Sequence, residues 1–78
     1  MLSTIMNLQK IEGTWYFTVS DDEGAHHYKT DKIGDGLWVK DYFDKDWSQV
    51  RGTCDFSLRG MSRSGAYKKI RREVVIEL

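Results

Sequence analysis

Apolar and polar positions alternate through Val50 to Arg59. Val50, Cys54, Phe56 and Leu58, with Gly52 among them, fall on one side, and Arg51, Thr53, Asp55, Ser57 and Arg59 on the other. A period of two marks a strand with one face on a core and one in water. Such a strand needs antiparallel neighbours patterned the same way, and most of the chain supplies them. Trp15, Phe17 and Val19 alternate with polar positions through Thr14 to Ser20, a stretch rich in β-branched and aromatic residues. Asp21-Asp22-Glu23-Gly24 reads as a four-residue hairpin loop, with Ala25 to Thr30 returning as the partner strand. Asp31 to Gly36 is a further turn. Leu37 to Phe43 is a strand with Leu37, Val39 and Phe43 on one face and Trp38, Lys40 and Tyr42 on the other. Asp44 to Trp47 is a polar connection anchored by one indole.

The two ends of the chain are less regular. Leu2, Ile5, Met6 and Leu8 fit a short helix, while Ile5, Asn7, Gln9 and Ile11 fit one side of a strand; a strand from about Met6 is the preferred reading. Glu12-Gly13 is a turn. Gly60 to Gly65 is a glycine-bounded loop. The segment from Ala66 carries helical spacing at Tyr67, Ile70 and Val74, then alternation at Val74, Ile76 and Leu78. The expectation is a strand over the last six residues, after one short helical turn capped by Ser64. The fold class is therefore all-β: a single domain, residues 1–78, forming a small antiparallel barrel or curled sheet of five to six strands. The expected core is Trp15, Phe17, Val19, Leu37, Val39, Phe43, Val50, Cys54, Phe56, Leu58, Val74 and Ile76.

Composition narrows the class. The 78 residues are 40% hydrophobic and 31% charged, as in a globular domain. Cys54 is the only cysteine, so no disulfide forms within one chain; on an apolar strand face it reads as a small core residue. The first eleven residues lack the basic and apolar regions of a signal peptide, and no stretch approaches the roughly 20 apolar residues of a membrane span. The expectation is a cytoplasmic protein with no membrane partner.

The net charge of zero hides a split. From Asp21 to Asp46 eight acids face four lysines, a net of −4; from Arg51 to Arg72 seven basic residues face one acid, a net of +6. Such asymmetry speaks of partners more than of fold. Arg59, Arg63, Lys68, Lys69, Arg71 and Arg72 crowd into fourteen residues. Three Trp and four Tyr exceed what one small core hides, and Trp, Tyr and Arg are the types that dominate binding hot spots. These features predict partner binding through the basic stretch 59–72 together with the outward rings Tyr16, Trp38 and Tyr42. The favoured partner is a protein, with self-association, including a homodimer, in the same class. By size alone the chain suits an inhibitor or adaptor of a larger machine, the kind that phages and mobile elements also carry. Nucleic acid is the alternative, with cations on phosphates and rings on bases. Against it, charged residues also commonly guard sheet edges.

A third class enters through Asn7-Leu8-Gln9-Lys10-Ile11-Glu12-Gly13-Thr14-Trp15-Tyr16, which resembles the first-strand Gly-x-Trp motif of the lipocalins. In that family the Trp closes the bottom of an eight-stranded barrel around an apolar ligand, and an Arg late in the barrel packs over it. The resemblance gives that part to Arg71 or Arg72. The chain is roughly half the length of a lipocalin, and barrel diameter follows strand number. The resemblance therefore implies a reduced relative whose cavity is filled, or completed by a dimer.

Catalytic and metal chemistry find little footing. His26 and His27 are neighbours on a strand and point to opposite faces, so they share neither a metal nor a proton path readily. No Cys or His has zinc spacing. Asp31 to Gly36 has the outline of a calcium loop, but Ile33 occupies a ligand position and Tyr42 stands where the closing glutamate belongs. Asp41, Asp44 and Asp46 read as a solvated loop. Gly60 to Gly65 has the outer glycines of a phosphate loop, but Ala66-Tyr67 follow in place of Lys-Ser/Thr. The expectation is no enzyme activity, no cofactor and no metal.

Overall fold

The computed structural model of the chain describes residues 3–31, 35–40, 46–52 and 56–75. Five antiparallel strands form one sheet in sequence order: β1 (Thr4–Ile11), β2 (Thr14–Asp21), β3 (Gly24–Asp31), β4 (Asp35–Lys40) and β5 (Ser48–Arg51). One helix, α1 (Arg63–Glu73), follows and packs against the sheet on its β1 side. The all-β reading holds, as one open, curled sheet with a C-terminal helix.

The turns explain the meander. Ile11 pairs with Thr14, so Glu12-Gly13 is a two-residue link, and both residues have positive φ, 51° and 85°. Two left-handed residues twist a hairpin in the sense of its strands. Asp21 pairs with Gly24, which shortens the expected four-residue loop to Asp22-Glu23; the Asp21 carboxylate accepts the Glu23 N–H at 2.8 Å. The β3–β4 end is closed by Gly36, at φ 74°. A Cβ there would lie 3.0 Å from the Arg51 carbonyl oxygen, and the Gly36 N–H donates to the Phe56 carbonyl at 2.9 Å. Only glycine allows that approach.

β1 resolves the helix-or-strand ambiguity. Its register shifts between Met6 and Gln9, and Asn7 sits at φ 56°, a bulge built on a left-handed Asn. Ile5 and Leu8, three apart in sequence, both join the core. The bulge is why the segment shows helical spacing while forming a strand.

The core lies between one sheet face and α1. Leu8, Trp15, Phe17, Val19, Tyr28 and Leu37 from the strands meet Phe56, Leu58, Ala66, Ile70 and Val74. Ala66, Ile70 and Val74 repeat every four residues and form one stripe of the helix. Ser62 caps it, accepting the Gly65 N–H at 3.2 Å.

Four expectations are corrected here. Of the strand expected over Val50 to Arg59, β5 covers Val50 and Arg51; Thr53 to Asp55 lie outside the described residues, and Phe56 and Leu58 are buried in a segment that is not strand. Val50 is 50% exposed and not in the core: the register shift in the β4–β5 ladder sets Arg51 opposite Leu37, which turns Arg51 to the core side and Val50 away. The single helical turn is an 11-residue helix, capped by Ser62 and not Ser64. It reaches Glu73 and ends at Val74, so no strand begins at Glu73. The helix wins there because Ala66, Ile70 and Val74 bury together only at a period near four. Val39 packs at the margin of the core; Phe43, Cys54 and Ile76 lie outside the described residues.

Candidate functional surfaces

The six basic residues of the 59–72 stretch do not act as one patch. Lys69 is tied down. Its ammonium donates to the Ser57 carbonyl at 2.6 Å, lies 5.3 Å from the Phe56 ring centroid and stands 4.0 Å from the Glu73 carboxylate. Arg71 donates to the Ser3 carbonyl at 2.9 Å and to the Tyr67 hydroxyl at 3.1 Å, joining the helix to the start of β1. Arg72 pairs with Glu73 at 3.3 Å. Near the helix C-terminus these cations also meet the negative end of its dipole. Arg51, outside the predicted set, donates to the Glu73 carbonyl at 3.1 Å and binds the same end of the helix to β5. Arg59 is exposed in the turn before α1.

Arg63 and Lys68 are different. Both are exposed, and neither has an ion pair among the described residues. Arg63 is the first helical residue, and the first turn holds no acid. A cation there faces the positive end of the dipole, at a cost of about 0.3–1 kcal/mol. With Ile5, Leu8 and Tyr67 these two side chains line a groove of about 540 Å³ between β1 and α1. Tyr67 is 41% exposed, and Met6, on the other face of β1, 44%.

The predicted rings lie on the opposite side of the molecule. The strand register sets Gln9, Tyr16, Lys29, Trp38 and Gln49 in one row across all five strands on the face that α1 leaves open. The next row on that face holds Met6, Thr18, His27 and Lys40. Trp47, just before β5, closes over them. Its ring meets Tyr16 edge-on at 6.4 Å and 63°. The Lys29 ammonium lies 4.8 Å from the Trp47 centroid and 5.9 Å from that of Trp38, and the Lys40 ammonium lies 5.8 Å from Trp47. Thr18 and His27 are joined by a 3.0 Å hydrogen bond between Oγ1 and Nδ1. His26 points away, its Nε2 3.5 Å from the Asp21 carboxylate, as strand geometry requires. A cleft of about 540 Å³ opens here, with Gln9, Tyr16, His27, Lys40 and Trp47 in its lining. The Trp38 indole N–H is buried on this face with no acceptor among the described residues.

Tyr16 and Trp38 therefore stand together, on the far side of the sheet from Arg63 and Lys68, and Tyr42 lies outside the described residues. Sequence reasoning missed Lys29, Lys40 and Trp47 as members of the site. The signal was present: Lys29 and Lys40 alternate with core positions, and the hairpin register brings them beside the rings. The net acidity of residues 21–46 concealed them.

Trp15, on which the lipocalin resemblance turns, is buried in the core, with the Lys10 ammonium 5.7 Å from its ring centroid. Arg71 and Arg72 make their contacts elsewhere. No helix among the described residues is long and apolar enough to cross a membrane, and no three metal-ligating side chains cluster among them. No family model, curated protein or solved structure matches this chain.

Proposed function

We propose that the chain is a non-enzymatic binding domain whose partner is a protein, held through an acidic segment lying in the groove between β1 and α1. The observation that carries this reading is Arg63. It sits where the helix dipole disfavours a cation, has no counter-charge among the described residues, and flanks an apolar groove together with Lys68. A partner carboxylate would relieve both the side chain and the free N–H groups of the first turn. An apolar side chain beside it would fill the space against Ile5, Leu8 and Tyr67. The bulge at Asn7 makes β1 a poor template for simple strand addition, which favours side-chain docking over sheet extension. Such a domain acts as an inhibitor or adaptor by occupying its partner's acidic segment.

A selection from a random displayed-peptide library tests the reading. The enriched sequences are expected to set Asp or Glu beside a large apolar residue. The double variant Arg63→Ser, Lys68→Ser should bind them about tenfold more weakly, a loss of about 1.4 kcal/mol, with its thermal midpoint unchanged or raised. Enrichment of neutral or basic peptides, or affinity indifferent to the double variant, would sink the proposal. Self-association is the second reading, favoured by the exposed acids Asp22 and Glu23 at the β2–β3 turn, which offer a second copy the same charge. A solution mass of twice 9.1 kDa, reduced to the single mass by the same double variant, would identify that copy as the partner.

A further inference from the structure

We infer that the open face of the sheet is a platform for single-stranded nucleic acid, centred on Trp47 with Lys29 and Lys40. It lies across β1 from the groove assigned to the protein partner; Asn7 lines both, and the two sites share no charged or aromatic side chain.

The face combines what an unpaired strand requires. Three rings are half-buried on it, Tyr16 and Trp47 in contact and Trp38 across Lys29 from them, so they are already ordered and lose little freedom on stacking against a base. Two ammonium groups flank the same indole, and neither has an ion pair among the described residues. Among the described residues no carboxylate lines the cleft, and Asp46, which precedes Trp47 in the chain, is not part of it. Lys29 and Lys40 rest on ring faces at 4.8 and 5.8 Å, a weak arrangement for solvent-accessible lysines. A phosphate offers each a stronger partner, and a lysine that swings to it uncovers the ring face for the base of the same nucleotide. The aromatic and cationic parts of the site thus trade occupants in one step. Gln9 and His27, exposed in the lining, present polar groups toward base edges without fixing a sequence.

A protein partner fits this face less well. Lysine is depleted in protein interfaces, and the exposed apolar side chains of this cleft and its neighbouring row, Ile11 and Met6, stand on the edge strand β1, two strands from Lys29. Duplex also fits less well, because its bases are stacked on each other and closed to the rings. The site differs from the one the basic stretch 59–72 suggests, and that difference makes it testable.

The experiment titrates the full chain with a twelve-nucleotide oligothymidylate, following Trp fluorescence from low to moderate salt. Saturable quenching is expected, with affinity falling as salt rises. The double variant Lys29→Ser, Lys40→Ser should weaken binding at least tenfold at low salt. It should also lower the slope of log affinity against log salt by about 1.4, at roughly 0.7 for each phosphate that a lysine no longer neutralises. Trp47→Ala should cost about tenfold with the slope nearly unchanged, because it removes stacking and no charge. Thermal unfolding confirms that each variant is folded. Arg63→Ser with Lys68→Ser should leave oligonucleotide affinity and slope as they were, so failure here and failure of the peptide groove are read in different variants. No quenching at low salt would overturn the inference. So would loss of binding in the helix variant alone, equal affinity for duplex, or saturation by thymidine monophosphate as tight as by the oligonucleotide.

Discussion

The two faces of the sheet carry rings in similar number and hold them in opposite ways. On the covered face Phe17 and Tyr28 stack nearly parallel, 5.2 Å apart and 14° between planes, with Trp15 beside them and Phe56 among the buried neighbours. On the open face Tyr16 meets Trp47 edge-on, and the ring faces are occupied by lysines. On the covered face apolar area has left water and the rings are structural. On the open face the same ring types remain half-wet, covered by groups that exchange easily. Ring content says little about role, and neither does a lysine on a ring, since Lys10 lies over Trp15 and Lys69 over Phe56 on the covered side; burial of the ring separates the two faces.

The comparison breaks most visibly by truncation. Phe17→Ala removes a ring 2% exposed and should cost about 3–5 kcal/mol. That is most of the stability a domain of this size has, so chemical denaturation should show a largely unfolded chain. Trp47→Ala should cost under about 1 kcal/mol. Equal losses at the two sites would mean that the open face is a second core. Gly36→Ala comes next. It forces a side chain into φ 74° against the Arg51 carbonyl and should cost about 1–3 kcal/mol, loosening the covered side where Gly36 holds Phe56, as amide exchange would show. Ser62→Ala removes the cap that presents α1 to that face and should cost about 1 kcal/mol, a midpoint fall of about 4–8 °C. The smallest effect has the opposite sign. Arg63→Glu puts an acid at the positive end of the helix and should stabilise by about 0.3–1 kcal/mol while abolishing acidic-peptide binding. A gain in stability with a loss of binding would mark Arg63 as a residue kept for its partner.

These contrasts also show what was legible in the residues. Strands β2 and β4 were readable because Trp15, Phe17 and Val19, then Leu37 and Val39, keep strict alternation, and β3 followed as the partner across the Asp22-Glu23 turn. Legibility failed where the backbone departs from regular geometry. The bulge at Asn7 gave β1 a helical spacing, and the β4–β5 register shift turned Val50 outward and Arg51 inward. Neither is coded by hydrophobicity alone. The C-terminal segment carried both periods at once, and the helix prevailed because Ala66 and Ile70 could be buried only together. Of the site, Tyr16 and Trp38 were visible as outward rings. The basic stretch was visible only as composition, and composition does not say that Lys69, Arg71 and Arg72 are spent on contacts within the fold while Arg63 and Lys68 are not.

The two clasps on α1 have a consequence for how the chain comes into being. Arg71 holds the carbonyl just before β1, and Arg51, at the end of β5, holds the carbonyl at the close of the helix. The first and last strands of the sheet are thus fastened to the last element synthesised among those described. On a ribosome all five strands emerge before residues 63–73, and the face bearing Trp15, Phe17 and Leu37 has no cover until the helix clears the exit tunnel. Any sheet these strands form before then has an apolar side open and both edges unfastened, the arrangement in which two copies on neighbouring ribosomes would most readily adhere.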